Sequence, residues 1–242
     1  MKIVSFPVTD PGGKRSLNED SYLNRPEAGL WAVADGVGGA DAGEVASSAV
    51  ADALAQIPAD LSGTDMLAAV RNALNDVHDT LRALAAERGP STMIASTVAV
   101  LMVQGEHFAC LWAGDSRVYL LRDGALRRLT TDHTLVQTMV DAGRITAAEA
   151  ETHPRANVIT RAVGADAAEL DKVIGEVLPG DRFLLCTDGL TKELPETELA
   201  ALLAVPEDMS PAELLVEAVR ARGARDNVTA VVVVVAGQTA TA

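Results

Sequence analysis

Apolar residues fall along this chain in two periods, and the period changes several times. Short apolar or β-branched runs occupy Lys2 to Val8, Ser21 to Leu23, Leu30 to Ala34, Thr92 to Val103, His107 to Ala113, Arg117 to Leu121, Ala125 to Leu129, Leu170 to Val177, Arg182 to Thr187 and Val228 to Val235. Runs of this kind predict strands. Between the third and fourth runs the period lengthens. Val45, Ala49, Ala53 and Ile57 recur every four residues, which predicts a helix with that face inward. Asp41 and Glu44 have capping-box spacing at its start, and Pro58 ends it. A second helix is predicted from near Thr64, because Leu67, Val70, Leu74, Val77, Leu81 and Leu84 alternate steps of three and four. Shorter helical patterns cover Leu135 to Ala142, Ala147 to Glu151, Glu196 to Leu203 and Pro211 to Arg222.

The breaks between strands are as informative as the strands. Gln104-Gly105-Glu106, Asp123-Gly124 and Leu178-Pro179-Gly180-Asp181 each join two apolar runs and predict hairpins. Hairpins mean antiparallel pairing. A parallel doubly wound sheet needs a helix between successive strands, and the middle of the chain lacks one. The expected architecture is α+β, with sheets covered by helices. It forms one domain over 1–237, with an excursion over about 132–164 and a short tail over 238–242.

Composition narrows the function classes. The chain has 242 residues, 48% hydrophobic but only 3% aromatic, so its core is built from Ala, Val and Leu. A formal charge of -14 argues against a general nucleic-acid binder or adsorption to anionic lipid, both of which need basic surface. Met1 to Thr9 has no long apolar core, so no signal peptide is expected, and Val231 to Val235 is too short to span a bilayer. The expected location is the cytoplasm. Cys110 and Cys186 lie in apolar runs and read as buried free thiols.

Candidate chemistry centres on Asp35-Gly36-Val37-Gly38-Gly39. Here a carboxylate sits where a strand ends, beside glycine backbone that a ligand can approach closely. A hard cation wants carboxylate and carbonyl oxygens in that arrangement. Asp20, Asp115, Asp188 and Asp226 also lie at strand ends. If those ends share an edge, the carboxylates repel one another and call for a cation. The other reading is that each caps a turn, as Asp123 does between its two runs. No His/Cys cluster points to zinc, and His78 reads as a helix-surface residue; an all-oxygen set suits Mg²⁺ or Mn²⁺. Arg15, close to Glu19 and Asp20, can grip a phosphoryl group with its guanidinium fork or form a surface ion pair.

Five blocks occur in order: Arg15-Ser16-Leu17-Asn18-Glu19-Asp20, Asp35-Gly36-Val37-Gly38-Gly39, Gly114-Asp115-Ser116-Arg117, Thr187-Asp188-Gly189-Leu190 and Arg225-Asp226-Asn227-Val228-Thr229. Together they resemble the signature blocks of the metal-dependent Ser/Thr protein phosphatases, the PPM or type 2C family, in its bacterial single-domain form. The resemblance implies a four-layer α-β-β-α sandwich of two antiparallel sheets, with 132–164 as a flap. It implies two to three Mn²⁺ or Mg²⁺ ions. Asp35 would bridge two of them, Gly36 would lend its carbonyl, and Asp188 and Asp226 would complete the pair. Asp115, sharing Asp188, would hold a third ion. Glu19, Asp20 and Asn227 would stand behind these ligands, and Arg15 would clamp the phosphate.

The implied reaction is hydrolysis of phosphoserine and phosphothreonine in proteins by a hydroxide between the two ions. Implied partners are phosphorylated proteins, including a Ser/Thr kinase or its targets, with the enzyme a monomer. Many family members carry His where this chain has Val37, and that His is the usual general acid. Other bacterial-type members lack it too, so the leaving alkoxide would take its proton from water at the third site. Two alternatives remain at this point: a catalytically weak or silent phosphoprotein-binding regulator of the same fold, and a phosphatase of small metabolites.

Overall fold

The computed structural model describes residues 2–38, 42–206 and 209–236. Asp41, Gly39 and the tail lie outside them, as does the expected Asp41 cap. Eleven strands form: Ile3–Asp10 (β1), Asp20–Arg25 (β2), Leu30–Val37 (β3), Ala95–Ser96 (β4), Val98–Gln104 (β5), His107–Ala113 (β6), Arg117–Arg122 (β7), Ala125–Arg128 (β8), Asp171–Glu176 (β9), Arg182–Cys186 (β10) and Val228–Val235 (β11). The helices are Ala42–Ala55 (α1), Gly63–Arg88 (α2), Leu135–Asp141 (α3), Ala147–Glu151 (α4), Asp188–Thr191 (α5), Glu196–Leu203 (α6) and Pro211–Ala221 (α7).

Two antiparallel sheets stack face to face. One has the order β1-β11-β10-β7-β8, the other β2-β3-β5-β6-β9 with β4 paired to β3. Trp31, Val33 and Leu101 of one sheet meet Phe183, Leu185 and Val233 of the other in the middle layer. Phe108 and Phe183 meet edge to face there, with ring centres 5.1 Å apart. α1 and α2 cover the outer face of the second sheet. α5, α6 and α7 cover the outer face of the first. The four-layer sandwich is therefore present. β11 lies inside its sheet between β1 and β10 and all eight of its residues are buried, which is why it reads as a nearly continuous apolar run. β1 is an edge strand and tolerates Pro7, which has no N–H to give a ladder.

Two expectations are corrected. The runs flanking Leu178-Pro179-Gly180-Asp181 do not form a hairpin: β9 pairs with β6, and β10 lies between β7 and β11 in the other sheet. Asp181 explains the crossing. It is 1% exposed, accepts from the Leu178 N–H at 2.8 Å, and takes a two-pronged ion pair from Arg122. The corner is thus pinned to β7, not closed on itself. Second, α1 buries Ala46, Val50 and Leu54, whereas Val45 of the expected face is exposed. In an alanine-rich helix both neighbouring stripes are apolar, so spacing alone does not choose between them.

The α2 stripe is as expected at Val70, Leu74, Val77 and Leu81. Asp123 and Gly124 both adopt positive φ, 51° and 76°, as a two-residue turn between β7 and β8 requires. Cys110 and Cys186 are buried and free. Among the described residues no helix is long and apolar enough to cross a membrane.

The α1 register is testable by urea unfolding. Leu54→Ala, which empties a fully buried site, should cost about 2–5 kcal/mol. Val45→Ala should stay within about 0.5 kcal/mol. The reverse ranking would reinstate the face read from the sequence.

Candidate metal centre

The site forms at one rim of the sandwich, where both sheets end. β2 and β3 pair so that Asp20 lies directly opposite Asp35. β3 does not stop at Asp35, as the apolar run suggested, but continues to Val37. The extension depends on Thr97. Its N–H donates to the Asp35 carbonyl at 2.9 Å, and its hydroxyl accepts the Asp35 N–H at 3.1 Å. The side chain thereby replaces a ladder carbonyl, and the expected strand Thr92 to Val103 is divided there into β4 and β5.

Asp20 ties the two sheets together. Its Oδ2 accepts hydrogen bonds from the Thr187 hydroxyl at 2.8 Å and the Thr229 hydroxyl at 2.7 Å. Both threonines belong to the opposite sheet's end of the rim. Asp226 lies just before β11 and Asp188 opens α5 directly after β10, so both arrive at the same place. Asp115 arrives on the turn between β6 and β7. His133 supports that turn: its Nδ1 accepts the Gly114 N–H at 3.2 Å, and its ring stacks on Trp112. Burial holds the imidazole below its ordinary pKa, in the neutral form that can accept at Nδ1.

The backbone is equally constrained. The Gly36 N–H donates to the Glu19 carbonyl at 3.0 Å, and the Glu19 N–H donates to Asn227 Oδ1 at 2.9 Å. Asn227 Nδ2 donates to the carbonyls of Pro11 and Leu17 at 2.9 Å each. A Cβ at position 36 would lie 2.0 Å from the Gly43 carbonyl oxygen, so α1 approaches β3 only because Gly36 is bare.

The charges conflict. Burial, then the neighbouring carboxylates Asp20, Asp188, Asp115 and Asp226, push Asp35 well above the usual carboxylate range. Asp20 is raised to about 7, by burial first and by Asp188 and Asp226, against the opposing pull of its two threonines. Asp115 is also raised to about 7, by burial, Asp188 and Asp132, with Lys192 acting the other way. Two cations face the five carboxylates. Lys192 pairs with Asp188, and Arg15 sits 2.8 Å from Asp226 and 3.7 Å from Glu19.

Among the described residues no three His, Cys, Asp or Glu side chains are already closed round one point. Lys192 and Arg15 pair with two of the carboxylates. The donor set nevertheless suits a hard divalent ion. It is all oxygen. Among the described residues, Asp20 Oδ1 and Asp115 Oδ1 are buried with no hydrogen-bond donor, so each has a lone pair aimed at nothing.

Of the residues singled out in the sequence, all nine reach this rim: Arg15, Glu19, Asp20, Asp35, Gly36, Asp115, Asp188, Asp226 and Asn227. Thr97, His133 and Lys192 were missed, and Thr187 and Thr229 stood in the quoted blocks without a role. For Thr229 there was a signal, a hydroxyl beside an otherwise apolar run from Ala230 to Val235. His78 donates nothing here; its Nδ1 accepts the Gly164 N–H at 3.0 Å.

A family model described as protein phosphatase 2C matches residues 13–226. The serine/threonine protein phosphatase PstP of Mycobacterium tuberculosis is 39% identical over 93% of this chain. The chain spans only 43% of that relative's length. A structure of PppA, called a key regulatory component of T6SS in Pseudomonas aeruginosa, is 42% identical with a TM-score of 0.89, covering 97% of this chain and 98% of that one. The catalytic domain of PstP in complex with two manganese ions is 38% identical with a TM-score of 0.86, covering 97% and 98%.

The raised carboxylates fix a sign for pH dependence. Between 3.8, the ordinary value, and about 7, the folded protein keeps protons on Asp20 and Asp115 that the unfolded chain releases. Stability of the chelator-treated protein should therefore fall as pH rises through that window. Thermal unfolding against pH measures it, and Asp20→Asn should flatten the slope. An unchanged slope in that variant would show that Asp20 is not its source.

Proposed function

Because the chain belongs to the protein phosphatase 2C family, we propose that it is a metal-dependent phosphatase of phosphoserine and phosphothreonine in proteins. One observation carries the reading: five carboxylates from separate parts of the chain meet at one rim with too few cations to balance them. Asp35, Asp188, Asp226 and the Gly36 carbonyl would hold two divalent ions, Mn²⁺ or Mg²⁺, and Asp115 with Asp188 a third. When bound, such ions supply Lewis acidity, lowering the pKa of water and screening phosphate charge.

The chain's own residues supply the rest. Arg15 is half exposed at the rim, on a segment that reaches into solvent, so its guanidinium can leave Asp226 for an incoming phosphoryl group. There it holds two equatorial oxygens and orients the phosphorus for in-line attack. Asp20, fixed by Thr187 and Thr229, keeps Oδ1 free to accept from and orient a water. Asn227 and the Glu19 backbone lock β2 against β11, so the carboxylates keep their spacing. Val37 moves no proton, so the leaving oxygen would take its proton from water at the site near Asp115 and Asp188.

The substrates we propose are phosphorylated proteins, including a Ser/Thr kinase or its targets, met by a monomeric enzyme in the cytoplasm. The segment over about 132–164, read as a flap, would take part in choosing them. It holds α3 and α4, and its ends are tied where Thr160 N–H donates to the His133 carbonyl at 2.8 Å and Ser96 pairs with Val163.

Phosphate release from a phosphothreonine peptide, with Mn²⁺ and with chelator, tests the reading. Turnover should require the ion; equal rates would end the metal hypothesis. Arg15→Ala should lower turnover by about 10²-fold, the scale of one lost charge-stabilising donor. Asp188→Ala and Asp226→Ala should lower it further while the fold persists by circular dichroism. Near-normal turnover in either aspartate variant would mean the site is misplaced.

A further inference from the structure

Lys192 stands one helical turn beyond Asp188. Its backbone N–H donates to the Asp188 carbonyl at 2.9 Å, which closes the short helix α5 and brings both side chains to one face. The ammonium then pairs with Asp188 Oδ2. The pair is buried on one side only: the Asp188 side chain is 17% exposed and that of Lys192 39%. Asp115 and Asp226 also lie within electrostatic reach of Lys192; burial works against its charge, but Asp188 first, then Asp115 and Asp226, together raise its pKa. Asp115 Oδ1, on the same side, is buried without a donor among the described residues. A positive charge therefore sits against Asp188, within electrostatic reach of Asp115.

We propose that Lys192 is a built-in counter-cation of the metal centre: its ammonium holds Asp188 in the metal-free protein, and a divalent ion binding through Asp188 must displace it. The proposal rests on the metal-dependent reading above. Its physical content is a competition. The ammonium offsets repulsion among Asp188, Asp115 and Asp226 when no ion is bound, so the metal-free fold is kept. The same charge opposes an arriving cation at short range, so affinity is lowered. Arg15 plays a comparable part at Asp226, with 47% of its side chain exposed against 39% for Lys192; what sets Lys192 apart is that α5 holds its backbone one turn from Asp188.

Calorimetric titration of the metal-free full chain with Mn²⁺ tests this, paired with thermal unfolding in chelator. Lys192→Met keeps the aliphatic stem and removes the charge; Lys192→Gln serves if the Met variant is insoluble. The neutral variants should bind at least one Mn²⁺ about tenfold more tightly than wild type. They should also melt at a lower temperature in chelator, with Mn²⁺ restoring the loss. Lys192→Arg should stay near wild type in both. Equal affinity and equal melting across all variants would overturn the role of Lys192 while leaving the metal reading intact. Failure of every protein, wild type included, to bind Mn²⁺ would overturn both.

Discussion

The structure depends on carboxylates crowded at a single rim of an apolar sandwich. Desolvation and mutual repulsion there push Asp20, Asp35 and Asp115 upward together. A fold that served stability alone would not gather them. Each has a distinct route to the rim: Asp20 and Asp35 by strand pairing, Asp115 on a turn, Asp188 at a helix start, and Asp226 just before the last strand. The remaining architecture holds these routes to one endpoint.

Hydroxyls and backbone do that holding. Thr187 and Thr229 anchor Asp20 across the gap between sheets, and Thr229 also meets Thr9 at 2.8 Å. Thr97 carries β3 past the point where its ladder would otherwise lapse, and Ser116 meets Thr97 at 2.7 Å from beside Asp115. Asn227 joins three segments with one side chain. These groups are neutral, so they fix negative charge in place without cancelling it. That leaves the carboxylates competent for divalent ions, which neutral donors cannot replace. Cations do the cancelling, and among the described residues Lys192 and Arg15 pair with carboxylates there. Arg15 and Lys192 are both partly exposed, 47% and 39% at the side chain.

Much of this was legible beforehand. Strand runs and helix stripes marked nearly every element, because burial on one face leaves a period in the chain. β11 and α2 are the clearest instances. The acidic residues were legible as a set because each sits beside a break in that period. The misreadings have equally definite causes. The Pro179-Gly180 corner has hairpin chemistry, yet β9 and β10 part company because Asp181 is bound to Arg122 on β7. Ala-rich α1 offers two equivalent stripes, and only packing against β2 and β3 selects Val50 and Leu54.

The sequence by itself determined the elements, the antiparallel character, the absence of thiol or imidazole clusters suited to zinc, and which carboxylates stand at strand ends. Those are local properties, set by side-chain period and turn chemistry within a few residues. Tertiary structure decided which sheet each strand joins, that Asp20 faces Thr187 and Thr229, and that Lys192 lies against Asp188 within reach of Asp115. Contacts between residues as far apart as Asp20 and Thr229 leave no period in the chain. They exist only once the two sheets have stacked, and the chemistry of the rim begins there.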